Sequence, residues 1–457
     1  MLNDEHLHQA FIQSSREHVL MLTIHGVHEW QVVPGLQDTG GQNVFVNQFS
    51  AALSRYGFKI TVVNRGGYPH PRTGRVQAGL SYLDGNQRIL YLDDGMPEIV
   101  RKEDMGDRLS NLLDSLEKFL ESEGGPIGLI ISHYWDAGRL GNLLIQSKKL
   151  SAKHIWVPHS LGMVKQRNLP PDIVNNLRIH ERIDFEREVF DNIDFLAATS
   201  SKIRLSAEND YGFDGKFLWL PPCVDQDRYY PRDVADSDSI WHLLSEASGV
   251  PPEEIRKKKL ITEISRTDET KQKDILIKAF AKVHQTHTDS FLVLSIDKSH
   301  NPLAKELFGL IEDFNLEGCV AAVGSIWEEL PALYAITDIY CTPSIMEGFG
   351  MSVQEAAATR VPIVSSNLVP FVTEYLAGEA APKITLGSGT EIIDGDGALI
   401  VPPGDIEGVV SAIDLLLSDD KLRKKKGSLA FKATIPYFTW DHIIQDFLKG
   451  VIQADAD

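Results

Sequence analysis

The chain has 457 residues, 43% hydrophobic and 24% charged, enough for two or three domains that each bury a core. Its formal charge of -19 repels phosphate backbones and anionic lipid at long range, which argues against a nucleic-acid partner. Cys223, Cys319 and Cys341 are odd in number and far apart, the start lacks an apolar signal core, and no stretch reaches spanning length, so a disulfide framework, a zinc site and a transmembrane segment are not expected and a reducing cytoplasm fits.

Residues 19–24 predict a buried strand. Beyond a long loop, Val44, Phe45, Phe49, Ala52 and Leu53 share one face of a predicted helix over 43–55, Gly57 stops it, and 59–63 is the next strand. Further strands are predicted at 128–132, 154–157, 194–199 and 216–220. The pattern breaks at Pro221 and Pro222, and the polar stretch 230–259 reads as an insertion or linker.

The rhythm then restarts: LITEIS, a helix over 274–284, FLVLSI, a helix after Pro302, CVAAVG, a helix over 328–336, DIYCTPS, a helix over 351–359, and PIVSS. Strands alternating with helices predict an α/β protein with two Rossmann-like domains facing a cleft. The expected division is 1–225, 226–428, and a C-terminal segment 429–457 whose amphipathic helix, with Trp440, crosses back to the first domain. The basic run 421–426 reads as a solvated helix face.

The strongest chemical signal is EGFGMSVQEAAATRVPIVSS, with seven residues between Glu347 and Glu355. It spans a strand–helix junction. Gly348 and Gly350 allow close backbone approach, and the N–H groups of Phe349, Gly350 and Met351 open a helix N-terminus suited to phosphate or sugar oxygens. Glu355, one turn in, suits a ribose diol. Gly40 and Gly41 also precede a helix. Two acidic triplets, 236–238 and 394–396, read as turn chemistry, and no metal is expected.

This segment resembles the Glu-x7-Glu signature of the retaining glycosyltransferases of family four, which have the GT-B fold. ISRTDETKQKD resembles that family's diphosphate-binding Arg-x4-Lys, implying Arg266 and Lys271, which would neutralise charge on the leaving nucleotide. In the first half, TIHG, DTGGQNVFVNQ (38–48), SHYWDAG (132–138), HSLG (159–162), ERIDFE (181–186) and PPCVD are similar to sucrose-phosphate synthases and sucrose synthases. The resemblance implies that Gly40 and Gly41 face the donor, that His159 contacts the transferred sugar near its anomeric carbon, and that Lys165 and Arg182 hold an acceptor phosphate. It places Asp136 in the acceptor region.

It further implies a metal-independent hexosyltransferase without a cofactor, using a nucleotide sugar, with UDP-glucose the expected donor, and a sugar acceptor. The acceptor hydroxyl would attack from the face the nucleotide leaves, and the β-phosphate oxygen would take its proton. Alternatives are a sucrose-phosphate synthase proper, a transferase of polysaccharide or glycolipid assembly, and a nucleotide-sugar epimerase. One departure matters: Glu181 stands where the family often shows a second arginine. A carboxylate beside a phosphate costs on the order of 1 kcal/mol or more, so fructose 6-phosphate is expected to be used poorly. Residues 64–74 also depart from the pattern, with Arg65 remaining available.

Overall fold

The structure is a computed structural model that describes residues 4–32, 39–298, 302–324, 326–386 and 389–453; Asp38, the first residue of the DTGGQ motif, lies outside them. The chain divides into two compact units, Met1–Pro221 with Trp440–Asp457, and Pro222–Thr439.

The first unit is built on β1 (Glu17–Leu22), β2 (Phe58–Arg65), β3 (Gly79–Tyr82), β4 (Gln87–Leu92), β5 (Leu129–His133), β6 (Lys153–Val157), β7 (Phe195–Ala198) and β8 (Lys216–Trp219). Among the described residues they form one eight-stranded sheet in the order β3-β4-β2-β1-β5-β6-β7-β8. Every pairing is parallel except β3 with β4. Helices cover both faces, so β1 is buried from His18 to Leu22, as a central parallel strand must be.

The strands β3 and β4 have no counterpart in the sequence reading. A charged Arg88 interrupts β4, yet its guanidinium is buried against Glu123 and lies 3.8 Å from the Phe11 ring centroid. The C-terminal helix Trp440–Gln453 packs on the helix Gly41–Arg55, as expected. Trp440 stacks on Phe49 with 18° between the rings and donates from Nε1 to Gln48 Oε1 at 3.0 Å.

The second unit contains β9 (Lys259–Glu263), β10 (Ser290–Ser295), β11 (Val320–Val323), β12 (Ile339–Thr342), β13 (Ile363–Ser366), β14 (Lys383–Thr385), β15 (Glu391–Asp394) and β16 (Ala398–Val401). Their order is β11-β10-β9-β12-β13-β16-β15-β14, with only β14 and β15 running antiparallel to their neighbours. The unit's entry and exit meet: the Val224 amide donates to Phe438 O at 2.8 Å and Val224 pairs with Thr439.

Two sequence expectations are corrected here. The stretch 230–259 is not a linker, because it carries the helix Ser239–Ser248, which buries Ile240, Trp241 and Leu244. The basic run is not simply solvated either. Lys421, Lys424 and Lys425 face out, but Arg423 and Lys426 are buried and paired with Asp338 at 3.3 Å and Asp394 at 2.6 Å. That pairing also occupies the 394–396 triplet, while Asp238 of the other triplet caps its helix by accepting from the Ile240 amide. Among the described residues no helix is long and apolar enough to cross a membrane.

Candidate active site

In the second unit, the loop after β9 and the loop after β12 are bound together. The Ile345 amide and the Ser344 hydroxyl both donate to Thr270 O, at 2.8 and 3.1 Å. This places Lys271 Nζ 2.5 Å from Glu347 Oε1. Lys271 is buried at 6% exposure, whereas the Arg266 side chain is 78% exposed and pairs with Asp268 at 3.6 Å. Just beneath, Lys273 is bonded to the fully buried Glu263 and reaches Ser295 Oγ at 3.2 Å, which anchors the loop from inside.

Gly350 opens the helix Met351–Ala357 at φ 112°, where an added Cβ would meet Val369 Cγ1 at 2.7 Å. Only glycine fits there. Phe349 offers its backbone alone, since its ring is buried against Phe371, Tyr375 and Phe438. Gly348 is exposed and Met351 half-buried. Glu355 lies beside Arg228 and Tyr229. Burial pushes its carboxyl up to about 8, against the opposing pull of Arg228.

In the first unit, Gly40 caps the helix Gly41–Arg55, its amide donating to Asn43 Oδ1 at 2.9 Å. Among the described residues an added Cβ at Gly40 would meet nothing within 4 Å. His159 has a left-handed backbone (φ 56°), uncommon for a residue with a Cβ, and its Nε2 lies 3.0 Å from His133 Nδ1. The two rings are within 24° of parallel. Burial lowers the His159 imidazole to about 3, so it is neutral at physiological pH.

Asp136 is fully buried, and its carboxylate contacts His25 Nδ1 at 2.9 Å; it reaches no open surface. Arg182 is also enclosed. Its Nε donates to Glu186 at 2.7 Å, Nη1 to the Tyr134 hydroxyl, and Nη2 to Ser160 O and Oγ. Lys165 donates to the same Tyr134 oxygen at 3.0 Å. Tyr134 itself has φ 75°, and Trp156 Nε1 holds its carbonyl at 2.9 Å. That approach needs Gly138, where a Cβ would stand 2.8 Å from the indole nitrogen.

Tyr134, Lys165 and Arg182 line one pocket together with Lys102, Glu103, Arg178 and Glu181. Glu181 is not an unpaired anion, because Arg178 grips both its oxygens at 2.6 and 2.9 Å. Arg65, expected to remain available, is instead saturated by Asp94 and two carbonyls.

Residues 250–432 match the family model described as glycosyl transferases group 1. That segment belongs to this family, and the chain is a glycosyltransferase. A mannosylfructose-phosphate synthase from Agrobacterium fabrum is 24% identical over 95% of this chain and 90% of its own. A D-inositol 3-phosphate glycosyltransferase from Corynebacterium jeikeium is 27% identical over 87% of this chain and 88% of its own. The sucrose-phosphate synthase of Thermosynechococcus elongatus superposes with a TM-score of 0.78 at 21% identity, covering 96% of this chain and 100% of that one. The glycosyltransferase therefore has the GT-B fold and moves a sugar from a nucleotide sugar to an acceptor.

Several groups of this glycosyltransferase escaped the sequence reading. His25, His133 and Tyr134 lie inside motifs quoted above but were not singled out, and Lys102, Arg178 and Arg228 carried no motif. Arg182 and Glu186 are four apart on the helix Ile179–Phe190, a spacing within the ERIDFE motif that pairs Arg182 internally.

Proposed function

We propose that this glycosyltransferase transfers a hexose, with retention, from a nucleoside diphosphate to a phosphorylated sugar. The observation that carries the acceptor reading is the first unit's pocket, where Lys102, Lys165, Arg178 and Arg182 face two carboxylates, one of them held by Arg178. A phosphate needs several cationic or N–H donors to offset its desolvation. The expected weakness toward fructose 6-phosphate rested on Glu181 as a bare anion, and its pairing with Arg178 removes that ground. Two similar proteins are a mannosylfructose-phosphate synthase and a sucrose-phosphate synthase, names that carry a phosphorylated product.

In the second unit, Lys271 and Arg266 would receive the charge of the leaving diphosphate, Glu347 the sugar hydroxyls, and Glu355 the ribose. The amides around Gly350, with the exposed Gly348, would meet phosphate or sugar oxygens. In the first unit, Gly40 and Gly41 offer amides to an anion, and His159 a neutral ring to the transferred sugar. Asp136 acts through His25, and Arg182 by holding Tyr134 beside Lys165. The departing β-phosphate oxygen takes the acceptor's proton, so the chain need supply no nucleophile.

Nucleotide release, measured with UDP-glucose and then GDP-mannose and ADP-glucose, tests the reading against fructose 6-phosphate and fructose. We expect kcat/KM to favour the phosphorylated sugar by at least a hundredfold, the worth of two charge-assisted hydrogen bonds of roughly 1.5 kcal/mol or more each. Equal turnover of fructose would overturn it.

A further inference from the structure

The Tyr134 hydroxyl oxygen lies between two cations. Lys165 Nζ donates to it at 3.0 Å from the helix Gly162–Asn168, and Arg182 Nη1 donates from the helix Ile179–Phe190. Both cations also lie over the ring, Arg182 at 4.3 Å and Lys165 at 5.6 Å from its centroid. Neither ammonium nor guanidinium can accept a hydrogen bond, so neither can take the phenol's proton. Among the described residues no acceptor for that proton is found, and Tyr134 is only 6% exposed. An oxygen that receives two charged donors and offers no proton of its own is the arrangement of an anion.

We propose that Tyr134 is a phenolate in the ligand-free enzyme and serves as the acceptor pocket's internal anion, which takes up a proton when an anionic acceptor arrives. The inference rests on the acceptor reading above. A phosphomonoester entering beside Lys165 brings negative charge against the phenolate. The repulsion is relieved when solvent supplies one proton to the Tyr134 oxygen, freeing part of the cations' field for the phosphate. An uncharged sugar triggers no such uptake. The tyrosine thus discriminates by charge.

The other groups facing it are consistent with this balance. On its own helix, Asp136 is committed to His25, whose ring meets Tyr134 edge-on at 4.8 Å. From the segment 102–108 come Lys102 and Glu103, 3.5 Å apart, and from the helix Ile179–Phe190 come Glu181, held by Arg178, and Glu186, held by Arg182. Burial pushes the phenol up, but Arg182, then Lys165 and Lys102, outweigh it and bring it down to about 7. Many of the protein's other tyrosines, such as Tyr91, Tyr211 and Tyr340, are pushed the opposite way by burial, and Tyr134→Phe identifies the source of a tyrosinate near neutrality.

The experiment is an ultraviolet difference titration of the full chain from pH 6 to 9, on wild type and Tyr134→Phe, with and without fructose 6-phosphate. One tyrosinate should appear in the ligand-free wild type with a midpoint of about 7 and be missing from Tyr134→Phe. Fructose 6-phosphate should bleach it, and calorimetry in two buffers of different ionisation enthalpy should register proton uptake. Its affinity should fall about tenfold per pH unit above the midpoint in wild type, since a phosphomonoester is already a dianion there. Lys165, whose ammonium is pushed down by burial, weakens binding in the same direction, and the absorbance separates the two.

A wild type with no tyrosinate below pH 9 overturns the proposal, and so does a tyrosinate that persists when fructose 6-phosphate is bound. Failure of fructose 6-phosphate to bind at all would instead sink the acceptor reading, while the ligand-free titration still decides the phenolate.

Discussion

Lys271 Nζ lies 2.5 Å from Glu347 Oε1, so a cation proposed for the donor's diphosphate and a carboxylate proposed for its sugar neutralise each other in the second unit. A bound diphosphate must compete with Glu347 for that ammonium. Glu347→Gln should therefore bind free UDP at least as tightly as wild type while losing turnover on the order of a hundredfold. Calorimetric titration beside a nucleotide-release assay checks both; weaker UDP binding in the variant contradicts the arrangement.

Glu355, proposed for the ribose, should make nucleotide binding depend on pH. Burial raises its carboxyl from 4.5 to about 8, so below pH 8 it is largely neutral and a poor acceptor for a diol. UDP affinity should rise with pH up to about 8, approaching tenfold per unit, and then level off. Glu355→Gln should abolish that slope. Stability runs the other way. The folded state holds the proton more tightly than the unfolded chain, so stability is fullest below about 4.5 and declines as pH climbs to about 8. The difference in Tm between Glu355→Gln and wild type should accordingly grow in the variant's favour from pH 6 to pH 8. A constant difference would rule out the raised carboxyl.

The pairing of His133 with His159 gives a negative result to look for. Burial holds both imidazoles neutral, with His159 lowered to about 3, so turnover should show no imidazole titration between pH 5 and 8. His133→Leu removes the bond to His159 Nε2 and should lower kcat about fivefold, the worth of roughly 1 kcal/mol. A wild-type rate that bends at pH 6.5 and loses the bend in His159→Gln would show that His159 titrates.

Arg178, in the proposed acceptor pocket, should distinguish acceptors. Its loss in Arg178→Ala removes one cation from the pocket and leaves Glu181 unpaired there, so the KM for fructose 6-phosphate should rise about tenfold. The KM for unphosphorylated fructose should stay the same. Steady-state kinetics with both sugars reads the difference, and an equal rise in both would mean that Arg178 only holds the pocket's shape.

The parts of the site that were legible in the sequence are those written locally. Glu347, Gly350 and Glu355 follow one strand, and Lys271 another, so their spacing already placed them at strand–loop junctions. The contacts that decide what each group can do are not local. Asp136 finds His25 from 111 residues away, and Arg182 finds Tyr134 from 48. No periodicity encodes either meeting. The same holds for the fold. The central strands appear as continuous apolar runs, whereas β3 and β4 lie at the sheet's margin, where Arg88 can be buried only because Phe11 and Glu123 arrive from elsewhere in the chain. Backbone conformation was equally invisible: nothing in SHYWDAG announces that Tyr134 sits at φ 75°.

Because Val224 and Thr439 meet where the second unit begins and ends, that whole unit is an excursion from a single point of the chain. The entropy of closing such an excursion grows slowly, by about 0.6 kcal/mol for each doubling of its length. A descendant gene could therefore lengthen the excursion, trim it or exchange it for a homologous one without re-threading the outer unit. With the donor read by the second unit and the acceptor by the first, as proposed, the two choices would change in separate recombination events, each leaving the other unit's core intact.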